Sequence, residues 1–271
     1  MMNFGLKYGR VLRSLLFFCA MNGCIYAEEL AELKPISPLA ALHANWVFSG
    51  SVSKETGENY EYFFQVKRND DRVYALVSLI DAQTKSVVFI QDTETQLIEQ
   101  SADQWNMGDI FLRYNPINSS WVFGVKKENQ IGFNFKLDML NQSAQKTQLL
   151  QPKVTMKIVQ TGQVNGHLQL KENEAAQFVS GKHAWFRQIT VDTLPTKPTE
   201  LHGLLCRFDD GSGLYSMKIM NSEIIRGTYS GMYNHDGIAA PISQFVYIDH
   251  LSSGPWRVRV PYPKLQFELD N

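Results

Sequence analysis

Cysteine is scarce. Among 271 residues only Cys19, Cys24 and Cys206 carry thiols, too few and too scattered for a disulfide framework or a cysteine-based metal site. Charge bias is also missing: 26 basic against 27 acidic residues give a formal net charge of −1. Without a Lys/Arg-rich run there is no electrostatic footprint for nucleic acid, and no nucleic-acid partner is expected. GxSxG, a P-loop, GxGxxG after a strand, HExxH and CxxC are all absent. His43, His167, His202, His235 and His250 are scattered at spacings that make no metal site. "YNHDG", from Tyr233 to Gly237, reads first as a turn and only second as a ligand cluster. Neither a metal nor another cofactor is expected.

Long hydrophobic runs are equally rare, and the one near the N-terminus is short. Lys7, Arg10 and Arg13 precede "LLFFCAM", and "CIYA" leads into the acidic "EELAEL". A basic flank, a short apolar core and a small residue predict a secretory signal over residues 1–27, cut near Ala27. Export to the periplasm or beyond follows. A lipoprotein cut before Cys24, in "MNGC", is the alternative. Once the signal is removed Cys206 is left alone in "LLCRF", where it reads as a small buried hydrophobe.

What the chain has in quantity is alternation. "NYEYFFQVKR" and "RVYALVSLID" flank the hairpin signal "NDD". "SWVFGVK" is joined to "IGFNFKLDML" by "KENQ", and in the latter Ile131, Phe133, Phe135, Leu137 and Met139 alternate with wetter positions. "VTMKI", "HLQLK", "WRVRV" and "LQFELD" repeat the pattern. Short strands at regular spacing predict antiparallel barrels or sandwiches. The only plausible helix after the signal is a short one over residues 37–42. The unpatterned "NQSAQKTQLLQPK" predicts a boundary between β domains at 28–145 and 146–271, and "DTLPTKPTEL" a loop within the second.

Three places are candidates for chemistry. In "GKHAWFRQI" alternation sends His183, Trp185 and Arg187 to one face, as the lining of a pocket or as an ordinary strand. In "CRFDDGSGLYSMKI" the Asp-Gly pair predicts a type I′ hairpin between strands 204–208 and 214–219. The functional alternative there is a pocket carboxyl whose pKa is raised by apolar surroundings so that it donates a proton. Trp46 and Trp256 each begin a strand, to plug the end of a barrel or to stack on an apolar ligand.

Taken in order, "NWVFSG", "YEYFFQVKR", "VSGKHAWFRQ", "LLCRFDDGSGLYSMKI" and "WRVRVPYPKLQFEL" give the chain a likeness. It resembles the lipocalin-like family that includes carotenoid 1,2-hydratases (hydroxyneurosporene synthases) and AttH-type proteins. The resemblance implies an all-β fold of two lipocalin-like antiparallel barrel or sandwich units, the second truncated or closed differently. For the hydratases it implies protonation of an isolated C=C bond and capture of the tertiary carbocation by water, without a cofactor. The matching positions are Asp210 as the acid, Trp185 as the face that stabilises the cation, and His183 to orient water. Phe208 stands where a tyrosine is expected, and no acid separates Phe186 from Arg187.

Three functions follow as expectations. The first is an exported binding module holding a small apolar lipid or isoprenoid in a barrel cavity, with Trp46, Arg187, Phe208 and Trp256 as ligand contacts. The second is a hydratase using Asp210, His183 and Trp185. The third is a purely structural interaction protein of the cell envelope. Peripheral contact with a membrane is a separate expectation. Oligomeric state is left open.

Overall fold

The computed structural model describes residues 37–97, 101–126, 132–139, 147–161, 163–172, 174–182, 184–193, 200–221, 224–235, 238–243, 245–250, 255–262 and 264–269. The signal expected over 1–27, the domain boundary at 145/146 and His183 lie outside them. Apart from one 3-10 turn, Pro38–Ala40, capped by the Ser37 hydroxyl where a short helix was expected, the regular elements are strands.

The strands are β1 (His43–Lys54), β2 (Asn59–Asn69), β3 (Arg72–Asp81), β4 (Val87–Gln96), β5 (Gln104–Met107), β6 (Ile110–Asn115), β7 (Ser120–Val125) and β8 (Gly132–Leu137). They continue as β9 (Thr147–Gln151), β10 (Val154–Thr161), β11 (Val164–Gln169), β12 (Gln177–Gly181) and β13 (Ala184–Val191). All thirteen belong to one antiparallel sheet, ordered β4-β3-β2-β1-β12-β11-β8-β7-β6-β5 along its main path. The sheet curls so that β4 comes back beside β5 in a nearly closed barrel.

Alternation builds that barrel. On β2, Tyr60, Tyr62, Phe64 and Val66 are buried, and on β3, Val73, Ala75, Val77 and Leu79. On β8, Phe133, Phe135 and Leu137 are buried while Asn134 is exposed, as the period-2 pattern predicted. The interior is filled by rings in mutual contact. Phe48 stacks on Phe123 at 4.5 Å, Phe133 on Phe135 at 4.3 Å, and Trp121 lies 5.4 Å from Phe186. Trp46 belongs to this core and meets Trp105 edge-on at 5.2 Å.

The main sheet branches at β1. Its last residues pair with β12, which leads through β11 and β8 around the barrel. Its first residues, Ala44 to Ser49, pair with β13, which leads to β10 and β9. Strands that follow the expected 145/146 boundary therefore return to the first sheet. The change of sheet comes later, across the proline-containing stretch 192–201.

From there β14 (Glu200–Arg207), β15 (Gly213–Asn221), β16 (Ile224–Tyr233) and β17 (Ala239–Ile242) form a second sheet, and β18 (Tyr247–His250), β19 (Trp256–Val260) and β20 (Leu265–Leu269) a third. One face of the second sheet, with Tyr215, Met217 and Tyr233, packs on the outward residues Met156, Ile158, Trp185 and Ile189 of β10 and β13. Its other face, with Cys206 and Leu214, packs on Val258 and Val260 of the third. Cys206 is buried as expected, and burial pushes its thiol pKa up to about 12. Among the described residues no helix is long and apolar enough to cross a membrane.

Candidate functional site

β13 has two buried faces. Ala184 and Phe186 point into the barrel, whereas Trp185 and Ile189 point out toward the second sheet. Arg187 falls between Trp185 and Ile189 on the outward side, so the shared face predicted for Trp185 and Arg187 is present. Both residues line a cleft of about 670 Å³ between the outer wall of the barrel and β14.

The same parity supplies most of the lining. Val47, Ser49 and Ser51 project from β1, Glu61, Phe63 and Gln65 from β2, and Ser78 and Ile80 from β3. Across the gap stand Leu201, Gly203, Leu205 and Arg207 of β14. At Gly203 a Cβ would lie 2.5 Å from the Met217 sulfur and 3.3 Å from Arg187 Nη1, so the glycine leaves room for both.

Polar groups in the lining are incompletely partnered. Arg187 Nη2 donates to Asn45 Oδ1, Nη1 lies 4.0 Å from the Met217 sulfur, and Nε is buried without a hydrogen-bond partner. Burial lowers its pKa to about 10, which leaves it charged at neutral pH. The Trp185 Nε1 and Tyr62 hydroxyl are likewise buried without partners. Burial pushes the Tyr62 pKa well above its usual value, against a smaller downward pull from Arg207. Arg207 Nη1 donates to Ser51 Oγ at 2.7 Å and approaches the Lys182 carbonyl at 3.5 Å. Among the described residues the lining has one carboxyl, that of Glu61, which is exposed.

The fold has solved counterparts. The "putative AttH" of Nitrosomonas europaea superposes with a TM-score of 0.55 at 14% identity, over 80% of this chain and 77% of that one. Kievitone hydratase of Nectria haematococca gives 0.64 at 10% identity, over 84% of this chain and 76% of its own. The fold is AttH-like. At these identities the likeness is one of architecture alone. No family model and no curated protein matches the sequence.

Within this AttH-like fold the remaining candidates stand apart from the cleft. Asp210 lies in the β14–β15 turn, exposed, and accepts hydrogen bonds from Ser212 N at 2.8 Å and Ser212 Oγ at 2.6 Å. Those bonds lower its pKa, the reverse of what an acid catalyst needs at neutral pH. The turn is closed by Gly211 N to Phe208 O and Phe208 N to Ser212 O. Only Gly211 in it has a positive φ, 82°. A type I turn with a glycine bulge thus replaces the expected type I′ turn, which needs two such residues.

Phe208 packs edge-on against Phe267 at 5.4 Å. Trp256 is 42% exposed on β19. Trp46 is enclosed in the barrel core, and Phe208 is partly buried against the small core between the second and third sheets. The stretches that hold Trp185 and Asp210 do meet, but through packing. Gln160 Nε2 on β10 donates to the Gly211 carbonyl at 3.0 Å, and Gly213 lies directly against the Trp185 ring.

The sequence reading missed Asn45, Tyr62, Gly203 and Arg207. Alternation could have found Asn45: once Trp46 and Phe48 face inward, Asn45, Val47, Ser49 and Ser51 must face outward. Nothing local in the sequence places β14 opposite them.

Proposed function

We propose that this chain is an exported binding protein for a small, largely apolar molecule, a lipid or isoprenoid, seated in the cleft between the barrel wall and β14. The observation that carries the reading is the cleft itself. Its volume of about 670 Å³ suits a small-molecule site, and Val47, Phe63, Ile80, Leu201 and Leu205 give it an apolar strip beside polar groups such as Arg187, Arg207 and the serines. The expected seat inside the barrel is already filled by the phenylalanine and tryptophan rings, so the outer wall offers the better place.

Hydration of an isoprenoid double bond is the rival reading. It requires a proton donor against the bound alkene, and Asp210 is outside the cleft, ionised and engaged by Ser212. The two readings separate in one experiment. Purified protein is incubated with an acyclic carotenoid and followed by mass spectrometry, while binding is followed by quenching of tryptophan fluorescence. The binding reading expects saturable quenching, no gain of water, and the same affinity in Asp210→Asn. A gain of water abolished by Asp210→Asn would restore the hydratase. Wild-type affinity for every apolar ligand tried in Leu205→Trp, which fills the cleft, would remove the binding site from this location.

A further inference from the structure

The buried cation on the barrel wall of the cleft, Arg187, has no counter-ion beside it among the described residues. A largely buried cation in a folded protein normally has an acidic partner, because removing a charge from water without compensation is costly. Among the described residues no carboxylate pairs with Arg187. Its guanidinium carries five N–H donors in a planar fork. Asn45 engages Nη2, the Met217 sulfur at 4.0 Å is a weak acceptor, and Nε has no partner at all. Arg207 contributes a second cation to the same lining. Two arginines and a single exposed acid make the cleft attractive to an anion.

We propose that Arg187 anchors the carboxylate of an amphipathic acid whose apolar body lies along Val47, Phe63, Ile80 and Leu205. This names the ligand class of the cleft and rests on the binding reading above. A carboxylate fits because it is planar, singly charged and able to accept two parallel hydrogen bonds from a guanidinium fork. Asn45 completes the logic. A neutral amide holds the guanidinium in place without neutralising it, so the charge stays available to the ligand. An aspartate at this position would pair with Arg187 permanently and close the site.

The test uses the full-length protein and the neutral fluorophore N-phenylnaphthylamine, displaced by oleate or by oleyl alcohol, which differ only in the head group. Wild type is expected to bind oleate about 10- to 100-fold more tightly than the alcohol, the range for a hydrogen-bonded charge. Arg187→Gln should abolish that preference. Asn45→Asp should do the same while retaining the arginine, and should raise the melting temperature because the buried cation gains a partner. If Arg187→Gln does not fold, Asn45→Asp decides alone. Equal affinity for both ligands in wild type overturns the carboxylate anchor and leaves the binding reading standing. Undiminished preference in Asn45→Asp overturns the role of Arg187. Failure of the fluorophore and both ligands to bind wild type overturns this inference and the binding reading together.

Discussion

A methyl group on Gly213 would lie 2.6 Å from Cζ2 of Trp185 and 3.1 Å from Oε1 of Gln160. The indole is held on its other sides by Tyr233, edge-on at 5.5 Å, and Tyr215 at 6.3 Å. Those rings leave it room to yield only toward the cleft. Gly213→Ala is expected to cost about 1–3 kcal/mol of stability, the range for overpacking a filled core. It should also weaken ligand binding, because any displacement of Trp185 alters the cleft wall it forms. Urea denaturation and fluorophore titration on the same sample measure both effects. A variant of unchanged stability would mean that the ring and the turn are less closely fitted than their distance implies. The glycine in "FDDGSG" that matters for Trp185 is thus the second, whereas the first serves the turn through its positive φ. In the sequence both look like turn residues, and only the neighbouring layer distinguishes them.

β13 ties two cores together beside the cleft. It is paired on both sides, with β1 from Ala44 to Ser49 and with β10 from Val154 to Thr161. It also contributes Phe186 to one core and Trp185 and Ile189 to another. Amides with such cover open only when both cores loosen. Hydrogen exchange read by mass spectrometry is expected to show the segment 184–191 among the slowest in the chain. The segment 239–242 should exchange far faster, since β17 pairs only with β16 and most of it is exposed. Comparable rates in the two segments would contradict the shared-wall description. The face assignment of "AWFRQI" was legible from period-2 alternation alone. That both faces are buried was not, because the apolar residues Ala184, Trp185 and Phe186 run consecutively, as they would in a strand buried on both sides or in a short core helix.

For the whole molecule, the fold class was readable because regular alternation and turn chemistry are local, whereas the pairing of strands far apart in the sequence was not, because strand return is non-local. The polar stretch 141–153 has the composition of a linker, yet β11 and β12 beyond it complete the barrel through β8 and β1. The prolines of 192–201 mark the passage from the first sheet to the second. Truncation separates these two descriptions. A chain ending at residue 145 lacks β11 and β12, leaves β1 and β8 without their joining strands, and removes Val164, Leu168, Val179 and Phe186 from the core. It should be unfolded by circular dichroism and rapidly digested by trypsin. A chain ending at residue 193 keeps every strand of the first sheet, but uncovers Met156, Ile158, Trp185 and Ile189. An apolar patch of that kind on an otherwise folded surface drives association. This longer piece should therefore retain β-rich circular dichroism, bind anilinonaphthalene sulfonate strongly and self-associate in sedimentation. If the shorter piece folded as stably as the longer one, β11 and β12 would be dispensable to the barrel, and the division would belong where the composition changes rather than where the sheets do.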